Sequence, residues 1–300
     1  YGLGSNKLFQ IGGPEQVYLV PTPLPLYDKD IIWASCAESF TVYLTVDGKI
    51  LFCGPPCKSI DSDYSKPYII ENETKKHYVY VTCCTKRFCA LDELGRVYLF
   101  TSDPRQRPTR LELPLPAYDI ACGISSISCK FFAIAVTVDG KSYGYAALNN
   151  DLHHFALIKA LNNIPVTRVY GYANHIAALT KDGKVLIYGN GGSGQCGNGT
   201  NHGNDIFKPI KADPELEFVD IGLGENHSIF ITKEGLVYSC GDNQHYQLCL
   251  GVTKKPILEL TPTPLIKGKA VAVACGSSHS LVLINAQKIV HPGMKSFGIK

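Results

Sequence analysis

Three histidines, twelve cysteines and one glycine-rich stretch are the residues of this chain whose types and spacing could do chemistry. His175, His227 and His279 hold the same place in three copies of a longer repeat. Three histidines can bind zinc, but only when they converge to about 2.0–2.3 Å from the metal. Residues at equivalent repeat positions lie one per unit and do not converge. Each is therefore expected to bond the backbone of its own unit, satisfying a buried polar group. Cys53-Gly-Pro-Pro-Cys57 separates its thiols by three residues after a strand. A thioredoxin-type pair has two, at a helix N-terminus that lowers the thiol pKa, so a connector is expected here. Cys83, Cys84 and Cys89 lack the paired Cys-x-x-Cys units of a zinc site. Gly189-Asn-Gly-Gly-Ser-Gly-Gln195 lacks the lysine and following helix of a phosphate loop and reads as a tight turn. No Ser-His-Asp set or carboxylate pair stands out. The expectation is no catalytic residue, no cofactor and no metal.

These residues must be held by something, and composition limits what. The chain has 300 residues, 45% of them hydrophobic, with 28 Gly, 18 Pro and 17 Tyr. That supplies a large core and enough turn formers to cut it into short strands, against disorder. A formal net charge of +3 comes from 29 basic and 26 acidic residues, with no basic run that would bind nucleic acid. No apolar run reaches the roughly 18–20 residues needed to cross a bilayer, and the N-terminus lacks a signal-peptide pattern. The cysteine count is even, yet Cys36, Cys83 and Cys275 fall at one distance before the turn in different repeats. They are expected to be unpaired, small, buried apolar residues. Reduced thiols imply an intracellular location, cytoplasmic and/or nuclear.

The repeat itself is a hairpin. One copy reads Thr41-Val-Tyr-Leu-Thr-Val-Asp-Gly-Lys-Ile-Leu-Phe-Cys-Gly54 and another Ile176-Ala-Ala-Leu-Thr-Lys-Asp-Gly-Lys-Val-Leu-Ile-Tyr-Gly189. The turn glycines are Gly48, Gly95, Gly140, Gly183 and Gly235, with Gln287 in the sixth place, at intervals of 43 to 52 residues. Asp-Gly between β-branched and aromatic runs predicts a two-residue hairpin turn with positive φ. A further apolar run precedes most hairpins, as in Phe218-Val-Asp-Ile221, and a proline-centred segment such as Lys208-Pro-Ile lies further upstream. Three or four strands per unit cannot bury both faces alone, so neighbouring units must stack. Strands in this number suit radial blades around an axis. The fold class is all-β: a single closed β-propeller of about six four-stranded blades over residues 1–300, with the N- and C-terminal segments closing one blade.

The stretches between hairpins carry a resemblance. Gly2-Leu-Gly-Ser-Asn-Lys-Leu-Phe-Gln-Ile-Gly12, Gly241-Asp-Asn-Gln-His-Tyr-Gln-Leu-Cys249, Gly224-Glu-Asn-His-Ser228 and Cys275-Gly-Ser-Ser-His-Ser280 together resemble the repeat of the regulator of chromosome condensation family. The likeness spans the chain but is degenerate in the second to fourth copies, where Arg87, Phe132 and His175 hold the histidine place and the Gln-Leu-Gly element is lost. The resemblance implies a propeller, normally seven-bladed. It implies protein partners, among them small GTPases, ubiquitin-system components and tRNA-modification factors. The expected function is a non-enzymatic protein–protein interaction platform, a monomer or part of a longer chain, without a specific nucleic-acid or membrane partner. The alternative is guanine-nucleotide exchange on a small GTPase. In the family's founding member exchange involves a wedge projecting from one blade, and repeat intervals of at most 52 residues leave no room for one. A single tryptophan, Trp33, excludes the light-sensing tryptophan cluster of the family's plant receptor branch.

Binding residues are expected on irregular loops, which can vary without disturbing blades. These are 55–66, 101–110, 149–154, 199–207 and 250–262. Within them the partner-binding candidates are Arg105, Arg107 and Arg110, interleaved with prolines, and His153 and His154.

Overall fold

The Asp-Gly hairpins form where the sequence places them, but their turn is wider than two residues. Thr45 N–H donates to Lys49 O at 3.0 Å and Gly48 N–H to Thr45 O at 2.9 Å, and the same pair recurs around Gly140, Gly183 and Gly235. Only the glycine is left-handed, with φ from +72° to +83° over the five turns. This is a type I turn closed by a glycine bulge. The aspartate, freed from positive φ, accepts a hydrogen bond from the threonine that opens the turn: Thr45 to Asp47, Thr137 to Asp139, Thr180 to Asp182. Hydrogen bonds from Lys49 and Thr45 hold the Asp47 carboxyl down near about 2.

The computed structural model describes every residue except 1, 6, 9, 12–14, 16, 25–29, 56–66, 71–75, 85, 102, 104–105, 126–129, 147–154, 252–253 and 286–300. Five antiparallel sheets of four strands follow one another along the chain. Blade one has strands Ile31–Cys36, Thr41–Thr45, Ile50–Cys53 and Tyr68–Ile69; blade two has Tyr78–Cys84, Arg87–Asp92, Val97–Thr101 and Thr109–Leu111. Blade three has Ala117–Ser125, Lys130–Thr137, Ser142–Ala146 and Ala156–Leu157. Blade four has Val166–Tyr172, His175–Thr180, Val185–Gly189 and Asn204–Pro209; blade five has Phe218–Leu223, His227–Thr232, Val237–Gly241 and Ile257–Pro262. The proline-centred segments thus end fourth strands. The first strand of blade three has no counterpart among the apolar runs singled out in the sequence.

Two two-stranded sheets flank these five. Gly2–Ser5 pairs with Val17–Thr22, and Lys269–Cys275 pairs with Ser280–Asn285. By repeat position the first supplies a third and fourth strand, the second a first and second. Among the described residues they are separate sheets, so the described strands make five complete blades and two complementary halves. The sixth turn, at Gln287, lies outside the described residues.

Blades pack face to face through apolar residues from both neighbours. Phe40, Phe52, Phe88 and Phe100 stack between blades one and two. Leu179, Ile187, Phe218 and Phe230 fill the space between blades four and five. First strands lie beside one another from blade to blade. The first strand of blade four also meets that of blade two, so the sheets turn about a common axis.

Candidate functional site

At the axis each first strand carries a bulge at one repeat position. The register slips between Ile31 and Trp33, Tyr78 and Tyr80, Ala117 and Asp119, Val166 and Arg168, Phe218 and Asp220, and Ala270 and Ala272. An extra residue shifts the alternation of side chains and re-aims the next one. Trp33, Tyr80, Asp119, Arg168, Asp220 and Ala272 are therefore equivalent. Three of them latch onto the backbone of the following blade. Trp33 Nε1–H donates to Val81 O at 3.1 Å, Asp119 Oδ2 accepts from Val169 N–H at 2.7 Å, and Asp220 Oδ2 accepts from Val273 N–H at 3.0 Å. Arg168 reaches Asp220 at 3.7 Å and lies 5.1 Å over the Tyr170 ring, whose hydroxyl donates to Asp220 at 3.1 Å. Every polar group named is occupied in joining blades, so this cluster is structural. Burial pushes the Asp119 carboxyl up to about 6, against the opposing pull of Val169 N–H and Arg168. Its ionisation thus costs the fold up to about 3 kcal/mol at neutral pH. Asp119→Asn keeps an acceptor for Val169 and removes that charge. Urea unfolding at pH 7.5 should show stability raised by about 1 kcal/mol; a loss would mean that the ionised carboxylate is what joins blades three and four.

His175 and His227 bond the next unit rather than their own blade, and His279 is exposed, correcting the sequence expectation. His175 Nε2 lies 2.8 Å from Ser228 Oγ in blade five, and His227 Nε2 lies 2.9 Å from Ser280 Oγ in the C-terminal sheet. Each serine in turn donates to a main-chain carbonyl, Ser228 to Gln195 O at 2.8 Å and Ser280 to Gln247 O at 2.9 Å. With the hydroxyl proton committed, the imidazole must donate from Nε2. The Nδ1 atoms of His175 and His227 then carry bare lone pairs, with no hydrogen-bond partner among the described residues. The sequence hides this link because the partners are 53 residues apart in different units.

The ten cysteines among the described residues are unpaired. Seven are buried, including Cys53 and Cys83; Cys275 is half-buried and Cys36 is exposed, so the expected burial fails at Cys36. Its blade-one strand is less covered along its length than the equivalent strand of blade two. Cys84 and Cys89 pack with Cys122 of the next blade, a grouping across blades that the sequence did not announce. Cys57 lies outside the described residues.

Antiparallel order puts the loops from first to second strand and those from third to fourth strand at one end of the blades. The Asp-Gly turns and the blade-to-blade connectors lie at the other. All five stretches singled out in the sequence fall between third and fourth strands; 204–207 and 257–262, expected in loops, belong instead to the fourth strands, and 56–66, 102, 104–105, 149–154 and 252–253 lie outside the described residues. Arg107 is exposed at the loop end, whereas Arg110, exposed and 3.7 Å from Glu112, pairs with Tyr98 near the Gly95 turn and so lies toward the opposite end of blade two, against the sequence expectation. Arg105, His153 and His154 lie outside the described residues. Loop 199–207 is tied down by Asn198, which bonds His202 O and Asn204, and by Thr200. Next to it Lys211 pairs with Glu259.

Repeated four-stranded blades, latched at an axis and presenting one loop-rich face, define a β-propeller of the interaction-module kind. Profiles of the regulator of chromosome condensation (RCC1) repeat match residues 182–231 and 234–283, and a second profile of that repeat matches 218–247. The chain carries RCC1 repeats over residues 182–283. It is 26% identical over 227 residues to the mitochondrial RCC1 domain-containing protein RUG3 of Arabidopsis thaliana, covering 65% of this chain and 51% of that protein. It is 26% identical over 275 residues to the human E3 ubiquitin-protein ligase HERC2, covering 79% of this chain and 5% of the ligase. The chain thus spans about half of the first relative and a small part of the second. Human WBSCR16 superposes with a TM-score of 0.77 at 19% identity, over 95% of this chain and 81% of that one. Prp20p of Saccharomyces cerevisiae superposes with a TM-score of 0.76 at 16% identity, over 93% and 76%. Both profile matches lie in the part where the His–Ser–Gln link is complete. No helix among the described residues is long and apolar enough to cross a membrane.

Proposed function

We propose that this chain is a non-enzymatic platform that binds a protein partner through the loop face of the propeller. The observation carrying this is topological: the five third-to-fourth connectors share one end of the blades, whereas the second-to-third turns, alike in geometry, lie at the other with the blade-to-blade connectors. Varied loops gathered on one face of a rigid scaffold suit a binding surface. Arg107, with Arg105, His153 and His154, supplies the contacts proposed on that face. The two chain-end sheets are proposed to complete a sixth blade, since one holds the strand positions the other lacks. Unpaired thiols support an intracellular compartment; one relative is mitochondrial by name.

The test exchanges residues 199–203 and 251–256, which precede the fourth strands of blades four and five, for short Gly-Ser turns and compares captured partners by affinity purification and mass spectrometry. Loss of a partner with an unchanged melting temperature is expected. Retention of every partner would refute the loop-face reading. A second reading, guanine-nucleotide exchange, is favoured by the likeness to Prp20p, whose structure is described together with its binding to Gsp1p and histones. Its test is release of fluorescent GDP from a panel of small GTPases. The platform reading expects no acceleration, and a rise of tenfold or more would replace it.

A further inference from the structure

One exposed aromatic of this chain is held in a backbone conformation it does not favour. Tyr246 lies on the connector from the third to the fourth strand of blade five, with φ +62°. Left-handed backbone is uncommon outside glycine, and for a bulky side chain it is an outlier. Blade four shows what the place demands, because its connector makes the same turns. Gly194 N–H donates to Gly191 O at 2.8 Å and Gly197 N–H to Gly194 O at 2.9 Å. In blade five Tyr246 N–H donates to Asn243 O at 3.1 Å and Cys249 N–H to Tyr246 O at 3.2 Å. Ser193 N–H and His245 N–H each donate to the glutamine side chain two residues on, both at 2.9 Å. Blade four thus has Gly194, φ +85°, where blade five has Tyr246. A Cβ at Gly194 would also press on Ile257 O and Leu258, so glycine is required there twice over. The Tyr246 ring is 48% exposed, and its hydroxyl makes no hydrogen bond among the described residues. Packing therefore does not repay the strain. Cys249, at the place of Gly197 with φ +56°, is half-buried by contrast.

We infer that Tyr246, with Lys254 beside it, is the anchor through which the loop face holds an acidic segment of a partner protein. This deepens the platform reading and rests on it. Backbone strain kept where it stabilises nothing is characteristic of contact and switch sites. The base of the loop is rigid: Asn243, Gln247 and Leu248 are buried, and Asn243 Oδ1 accepts from Leu248 N–H at 3.0 Å. A tyrosine on such a base loses little conformational freedom on binding, which suits it to carry a protein contact. Charge selects the partner. The Lys254 ammonium lies 5.3 Å from the ring centroid and has no ion pair among the described residues. His245 and Lys255, next to them in the chain, are exposed. The carboxylates at this end of blade five are engaged within the chain: Asp242 with Gln247, Glu259 with Lys211 and Glu225 with Ser277. A partner carboxylate therefore meets Lys254, and the apolar side chain next to it lies along the ring.

The test selects a random dodecapeptide display library on the full chain and titrates the selected peptides as fluorescein conjugates. Selected peptides should share a carboxylate beside an apolar residue and weaken as salt is raised. Tyr246→Gly should weaken them at least about tenfold. By releasing the backbone it should also raise the melting temperature by about 2 °C. Tyr246→Phe, which keeps the ring, should bind as the parent chain does. Lys254→Gln should weaken the peptides about threefold and flatten the salt dependence. A lowered melting temperature in Tyr246→Gly would make the ring a packing group and overturn the assignment. So would a library that yields no binder, or binders that are basic or indifferent to Tyr246→Gly. Concentration-dependent self-association lost in Tyr246→Gly would overturn it too, naming a second copy as the occupant. Peptides lost on exchange of residues 199–203 but kept by Tyr246→Gly would sink the tyrosine while leaving the loop-face platform standing.

Discussion

Lowering the pH from 7 to 5 is expected to reduce the unfolding free energy by about 2 kcal/mol, and by about 4 kcal/mol in Asp119→Asn. The cause is the pair of buried imidazoles. His175 is depressed from its ordinary value of 6.5 to about 3, by burial first and then by His227. His227 falls to about 4, with burial again the largest cause. Protonation would place a second N–H on Nδ1, where neither ring has an acceptor among the described residues. Folded values below the unfolded one mean that the unfolded chain binds more protons. Their stability is therefore fully present above about pH 6.5 and lost as pH falls below it. Each contributes about 2 kcal/mol of loss at pH 5. Asp119 has the opposite sign: its folded value of about 6 exceeds the ordinary 3.8, so it stabilises below pH 3.8 and loses that contribution as pH rises through 6. Over the same interval it returns about 1.4 kcal/mol. The net uptake on unfolding near pH 5 is about one proton, rising to about two in Asp119→Asn. Urea titrations at half-unit pH steps measure it, and a flat profile would place both histidines in water.

The parts of this structure legible in sequence are the local ones. Asp-Gly between apolar runs announces a hairpin because the turn's conformational demand falls on one glycine, such as Gly48, within five residues. Even so, the turn type was missed, since Asp47 prefers its threonine's hydroxyl to a left-handed backbone. The proline segments were legible as strand ends because proline cannot continue a ladder. What stayed hidden depends on one blade meeting the next. A bulge in the first strand changes which residue faces the axis, so alternation alone could not align Trp33 with Arg168. The His175–Ser228 bond spans a blade boundary, and a rule that equivalent residues never meet says nothing about inequivalent ones.

Gly224→Ala is expected to cost about 3 kcal/mol, against about 1 kcal/mol for Gly140→Ala. The comparison separates two reasons for glycine in one repeat. Gly140 has φ +78° and nothing within 4 Å of an added Cβ, so alanine there meets only the backbone penalty of the left-handed region. Gly224 needs no left-handed backbone. A Cβ at Gly224 would overlap Cε1 and Nδ1 of His227 and press on Gly276 O. The Cε1–Nδ1 edge of the ring lies against that glycine while its Nε2 reaches Ser280, and Ser280 holds Gln247 O. Moving the ring breaks the relay and loosens Leu248, fully buried between blade five and the C-terminal sheet. The two costs are therefore coupled: His227→Ala removes the obstacle, and Gly224→Ala added to it should cost about 1 kcal/mol less than in the parent chain. Guanidinium unfolding of the two singles and the double variant measures the coupling. Full additivity would show that the glycine serves Gly276 alone, and that the histidine is positioned by something other than its contact with the glycine three residues before it.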